Sequence, residues 1–183
     1  MRTLAALVLI SLVGCSATAN EGSDPTEETF ELGPIDTYLR TSPDDVTPAP
    51  PLIVDLSSRE IAAGDVLTLS VEGRYHDDAS LDTSDYSIAV FSASDEVLDS
   101  TNPHRVPGAI EAGEAYATDP TYLGDLPTDI PEDFRLDGDG DEGVFEVVVE
   151  VPPGGTFLIV GLGDKHYVDN TASDEGFRVN LTY

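Results

Sequence analysis

The residues best suited to chemistry lie near the C-terminal end, in Val160-Gly161-Leu162-Gly163-Asp164-Lys165-His166-Tyr167-Val168-Asp169-Asn170. Asp164, Asp169 and Asn170 put three oxygen-bearing side chains on one short loop, with main-chain carbonyls between them. Ca²⁺ takes about 6–8 hard oxygen ligands in a flexible shell, so this spacing suits calcium. Zinc is a poor fit, because there is one Cys and the three histidines, His76, His104 and His166, are far apart in sequence. The same loop also reads as a β-turn in which Asp169 and Asn170 satisfy backbone N–H groups. The residues alone leave both readings open.

A second acidic run, Asp137-Gly138-Asp139-Gly140-Asp141-Glu142-Gly143, begins like an EF-hand loop. It departs where the geometry is strictest. Glu142 stands at the position that needs Gly, and the bidentate Glu position falls on Val148, inside a strand pattern. Solvated charges on a hairpin-like loop fit it better. Catalysis has little support: there is no Gly-x-Ser-x-Gly elbow, no His-Glu-x-x-His and no phosphate-cradling Gly loop. The histidines have no evident nucleophile partner, and paired carboxylates carry no information among 36 Asp and Glu. The chain is expected not to be an enzyme.

The elements that must position these residues are short strands. Leu52–Leu56, Val66–Gly73, Tyr86–Phe91, Phe145–Val151, Thr156–Leu162 and Phe177–Thr182 show period-two alternation or fully apolar runs between turn residues. That pattern predicts an all-β fold, an antiparallel β-sandwich, and its jelly-roll or galactose-binding-like form is what a family resemblance implies. No stretch has a helical period, and Gly108–Tyr116 has room for one helical turn at most. Residues 98–143 form a long insertion, which their spaced Tyr, Leu, Ile and Phe residues predict to pack over the sandwich.

With the strands in place, a resemblance becomes visible. The segment from Asp164 through Asp169-Asn170 to Gly176-Phe177, with Gly64-Asp65-Val66-Leu67-Thr68-Leu69 running on to Gly73, is similar to the PA-I-type galactophilic lectin family and related PA-IL-like sandwich modules. It covers both ends of residues 52–183, about a third of them closely. The resemblance implies a Ca²⁺ between these two elements, held by the side chains of Asp164, Asp169 and Asn170. It also implies a main-chain carbonyl near His166 and another just after Gly73, assigned to Asp77. In such lectins the hydroxyls of a carbohydrate complete the metal shell, so Asp164, Asp169 and Asn170 would face the ligand as well. Two features depart from the family. The Tyr75–Asp85 loop is short and lacks the His-Pro-Asp-Gln stretch that contacts galactose, and the Asp-to-Asn loop is two residues shorter. These departures point to a second reading, a structural or protein-interaction surface lipoprotein with a lectin-like fold and no sugar site.

The address comes from the other end. Arg2 precedes an apolar run, Leu4–Val13, too short to span a membrane comfortably. It ends in Leu12-Val13-Gly14-Cys15, which resembles the lipobox of bacterial-type lipoproteins. That resemblance implies a signal peptide over 1–15 and acylation of Cys15, the only Cys. Ser16 in the next place implies outward sorting, to the outer membrane or cell surface. Residues 16–50 hold eight acidic residues, five Pro and Arg40 as the one base, so they are expected to form a disordered tether, while the weak alternation of Phe30-Glu31-Leu32 and Ile35-Asp36-Thr37-Tyr38-Leu39 leaves open that part of it docks as an edge strand. The sandwich domain is then expected over 51–183.

Charge excludes other partners. The chain of 183 residues carries a net charge of −28, with eight Lys and Arg in all. Nucleic acid is ruled out, because neutralising phosphates needs a basic surface, and so is electrostatic docking on anionic lipid. Residues 51–183 alone hold 28 acidic and six basic residues. The excess therefore sits on the folded part, where screening or bound cations relieve it.

Overall fold

The structure is a computed structural model that describes residues 24–41, 47–76, 83–84, 87–113, 122–123, 126–127, 130–136, 146–164 and 166–183. The leader with Cys15, Asp77, Lys165 and the acidic run 137–143 lie outside the described residues. Twelve strands are described in chain order: β1 (Glu27–Glu31), β2 (Leu52–Asp55), β3 (Val66–His76), β4 (Thr83–Ser84), β5 (Ser87–Ser92), β6 (Ala109–Ile110), β7 (Tyr122–Leu123), β8 (Leu126–Pro127), β9 (Phe134–Arg135), β10 (Glu146–Glu150), β11 (Phe157–Leu162) and β12 (Thr171–Thr182). The one helical piece among the described residues is a 3₁₀ turn at Ser57–Arg59.

The strands form two antiparallel sheets, ordered β1-β12-β3-β10 and β2-β11-β5-β6, with β4 added to β3 and β9 to β5. Alternation fixes which face of the first sheet turns inward. Leu67, Leu69, Val71 and Tyr75 of β3 are buried, as are Phe177, Val179 and Leu181 of β12. They share one apolar cluster with Val54, Ala89, Phe91, Leu158, Val160 and Leu162 from the second sheet. The fold is the expected all-β sandwich, with this cluster as its filling. Gly108–Tyr116, where one helical turn was the most expected, contributes the short strand β6.

The second sheet is buried on both faces. Every residue of β5 is buried, and Ile88, Val90 and Ile159 point away from the central core into a second apolar cluster. Their cover is Tyr38, Leu39, Val106 and Ile130. This explains why β5 and β11 read as continuous apolar runs and not as alternating ones. Part of the cover comes from two described residues of the long insertion, Val106 and Ile130.

The rest comes from a stretch expected to be disordered. Residues 26–41 are not a tether. β1 pairs with β12 from Glu27 opposite Thr182 to Glu31 opposite Arg178, and Leu32, Tyr38 and Leu39 are buried. The chain then runs as a strap across β11. Leu162 N–H donates to the Asp36 carbonyl at 2.8 Å, and Thr37 Oγ1 donates to the Leu162 carbonyl at 3.0 Å. Gly161 permits the crossing, since a Cβ there would stand 3.0 Å from Thr37 Cα. The guanidinium of Arg105 locks the strap from the far side, donating to the carbonyls of Thr37 (3.0 Å) and Leu39 (2.9 Å) through Nη1 and of Leu98 (2.9 Å) through Nε. Composition misled here because a few well-placed apolar residues suffice once another element receives them.

Where the strap enters, Arg59 grips Glu28 with two parallel 2.7 Å hydrogen bonds, and the Tyr183 hydroxyl donates to the same carboxylate at 2.7 Å. The Arg59 hydrogen bond, then that from Tyr183, holds the Glu28 carboxyl below its ordinary 4.5. A depressed carboxyl stabilises the fold above its unfolded value, and that contribution is lost as pH falls through the folded value. Glu28→Gln should therefore lower stability at pH 7. The gap to the unsubstituted chain should close as the pH drops below 4.5, which urea unfolding at stepped pH will show.

Candidate calcium loop and adjoining groove

The loop between β11 and β12, residues 163–170, carries four of the five residues expected at a metal, Asp164, His166, Asp169 and Asn170. Asp164 starts it with an Asx-type turn, its Oδ1 accepting from His166 N–H at 3.2 Å. Tyr167 anchors the middle. Its ring is 1 % exposed, and its hydroxyl lies 3.0 Å from Thr37 Oγ1 and 2.9 Å from the Leu162 carbonyl. Burial pushes that hydroxyl's pKa well above its ordinary value, so it stays a neutral donor. Asn170 closes the loop, its Nδ2 donating to the Pro34 carbonyl at 2.8 Å. The strap thus holds the loop at both ends and in its middle.

The oxygens left over are the informative part. Asp169 Oδ1 and Asn170 Oδ1 are buried without a hydrogen-bond partner among the described residues, and Asp164 Oδ2 is withdrawn from solvent beside them in sequence. Buried acceptors of this kind are uncommon and ask for an ion or an ordered water. A β-turn that used these two oxygens on backbone N–H groups would have paired them, and neither has such a bond among the described residues.

Among the described residues no three His, Cys, Asp or Glu side chains gather to hold a metal ion. The calcium set expected here has only two such carboxylates, with an amide oxygen and carbonyls making up the rest. His166 is an exposed residue that contributes its N–H to Asp164; Asp77 lies outside the described residues. Its neighbour His76 pairs with Thr171, the residue after Asn170, so the chain following Gly73 does arrive at the loop.

The chain matches no family model, no curated protein and no solved structure. A groove adjoins the loop.

That groove arises from an irregularity which the sequence disguised as a turn. β12 begins at Thr171, six residues before its expected start, and its ladder with β3 is interrupted between Ala172 and Phe177. Four residues, Ser173 to Gly176, stand opposite Arg74 alone. Gly73 and Gly176 both have positive φ, 84° and 70°. A Cβ on Gly73 would collide with the Gly176 carbonyl, so the bulge requires glycine on β3. Ser173 Oγ donates to the Arg74 carbonyl at 2.6 Å and Arg178 Nη2 to the Glu175 carbonyl at 3.1 Å. The bulge is pinned at both ends while Asp174 and Glu175 stay exposed. Two adjoining depressions of about 370 and 600 Å³ share Arg74, Asp174 and Glu175 as walls. The sequence carried one signal for this feature, the Gly in each of the two strands.

Proposed function

We propose that this chain is a surface lipoprotein, anchored through acylated Cys15, whose β-sandwich binds Ca²⁺ on the 163–170 loop and presents it to a polyhydroxyl ligand of the carbohydrate class. The observation that carries the reading is the pair of buried, unpartnered oxygens on Asp169 and Asn170. Such atoms are costly to bury bare, and a divalent cation bound through hard oxygens would satisfy both. The resemblance to PA-I-type lectins supports the second half: ligand hydroxyls would complete the metal shell, which explains binding without any Trp platform. The lipobox-like Leu12-Val13-Gly14-Cys15 supports the address. The competing reading, a protein-interaction lipoprotein without a sugar site, draws on the short Tyr75–Asp85 loop.

Thermal unfolding of the full chain with and without Ca²⁺ tests the metal. Ca²⁺ at about a hundred times its Kd adds about 2.7 kcal/mol, which raises Tm by roughly 5–10 °C in a domain of this size. NaCl at matched ionic strength must accompany each point, because screening alone stabilises so acidic a surface. A Ca²⁺ response no larger than that of NaCl would sink the reading. So would an Asp164→Ala and Asp169→Ala double variant that keeps the full shift.

A further inference from the structure

We infer that the groove at the β3–β12 bulge is a second ligand subsite, one that selects neutral oligosaccharides over single sugars, with Arg74, Asp174 and Glu175 as its specificity-determining residues. The inference rests on the calcium reading and goes beyond it, since neither the loop nor the family resemblance assigns these residues a role. Position comes first. His76, on the groove, lies opposite Thr171, the residue after Asn170. Pro34, on the groove wall, accepts the Asn170 amide through its carbonyl. A ligand seated on the loop would therefore run directly into the groove. Its volume falls within the roughly 300–1,000 Å³ typical of small-molecule sites.

Chemistry narrows the ligand. A hydroxyl both donates and accepts, so recognising a chain of them needs both kinds of partner side by side. On this protein acceptors are everywhere and donors are scarce, with seven Arg and one Lys in the whole chain. Two of the seven, Arg74 and Arg178, border this groove beside Asp174 and Glu175. Carboxylates in the wall disfavour phosphates and other anions, and the guanidinium disfavours cationic ligands. The aromatic rings that line it among the described residues, Tyr75 and Phe177, pack edge to face at 5.6 Å and are 2 % and 3 % exposed. They make a firm floor and offer no open face to an apolar ligand. Because the bulge is already pinned, little ordering would oppose binding.

The test probes an array of immobilised neutral mono- and oligosaccharides with the full chain in Ca²⁺. The unsubstituted chain should retain at least one oligosaccharide more strongly than its component sugars. Arg74→Gln, and separately Asp174→Asn with Glu175→Gln, should lower that signal tenfold or more, with the Ca²⁺-induced rise in Tm and the single-sugar signals unchanged. Variants that bind oligosaccharides like the parent overturn the subsite and leave the calcium reading standing. An array without any retained neutral glycan, beside an intact Ca²⁺ shift, does the same. Loss of the Ca²⁺ shift in the parent chain removes both.

Discussion

A chain that starts at residue 50 should fail to reach the native state. The cut looks harmless by composition, since it removes a stretch rich in Pro and acid. It also removes β1, the strap and three buried apolar side chains, Leu32, Tyr38 and Leu39. Burying each is worth roughly 1.5–3 kcal/mol, so the three together represent about 4.5–9 kcal/mol on that scale, against a typical total stability of about 5–15 kcal/mol. The cut would further expose Ile88, Val90 and Ile159 on the outer face of the second sheet and take two carbonyl acceptors from Arg105. Near-UV circular dichroism and thermal unfolding of the truncated chain will read the outcome. A cooperative transition within a few degrees of the full chain would show the strap to be ornamental.

Arg105→Ala should be the most damaging single substitution in the strap region. Arg105 is 6 % exposed and is satisfied by three main-chain carbonyls. Burial pushes its pKa down, with Tyr167 and Asp99 acting weakly the other way, yet an arginine remains charged at any usable pH. Truncation would leave three inward carbonyls short of a donor, at about 1–3 kcal/mol for each buried group left unsatisfied. A loss of about 3 kcal/mol or more in urea unfolding is expected. Arg105→Lys should recover only part of it, because one ammonium cannot reproduce a planar fork aimed at three acceptors. Salt should not change the loss much, whereas the half-buried Arg59–Glu28 pair, still in reach of solvent, should weaken somewhat as salt rises. An Arg105→Ala chain within 1 kcal/mol of the parent would contradict the strap's described locking.

The sheets were legible because their physics is local. Leu67, Leu69 and Val71 alternate with polar residues, and a sandwich strand must alternate when one face meets water. The apolar runs of β5 and β11 were legible as buried strands, although nothing nearby said what buried them. The strap was legible only as a weak alternation at Phe30–Leu32 and Ile35–Leu39, because Tyr38 and Leu39 gain their environment from Arg105, Val106 and Ile130, all more than sixty residues away. The bulge was misread for a related reason. Ser173-Asp174-Glu175-Gly176 has the chemistry of a turn, and only its opposite number, Gly73, reveals that the strand continues past it. The loop from Asp164 to Asn170 was the most legible part of the site, since its oxygen donors lie within seven consecutive residues. The hand that holds it, from Pro34 to Thr37, came from the segment set aside as tether.

The pairing of β1 with β12 also sets a direction. Thr26 sits beside Tyr183, joined by hydrogen bonds in both senses, while the 163–170 loop and the bulge lie toward the opposite end of β12. On the proposed reading of Cys15, eleven residues separate the acylated position from Thr26, a leash of at most about 40 Å. β12 itself, at roughly 3.3 Å per residue, spans a comparable distance. The leash would then join the sandwich at its Tyr183 pole, the end farthest from the 163–170 loop. Height above the membrane would come from the length of a folded strand as well as from the leash, which places the binding pole about one strand length beyond the point of attachment.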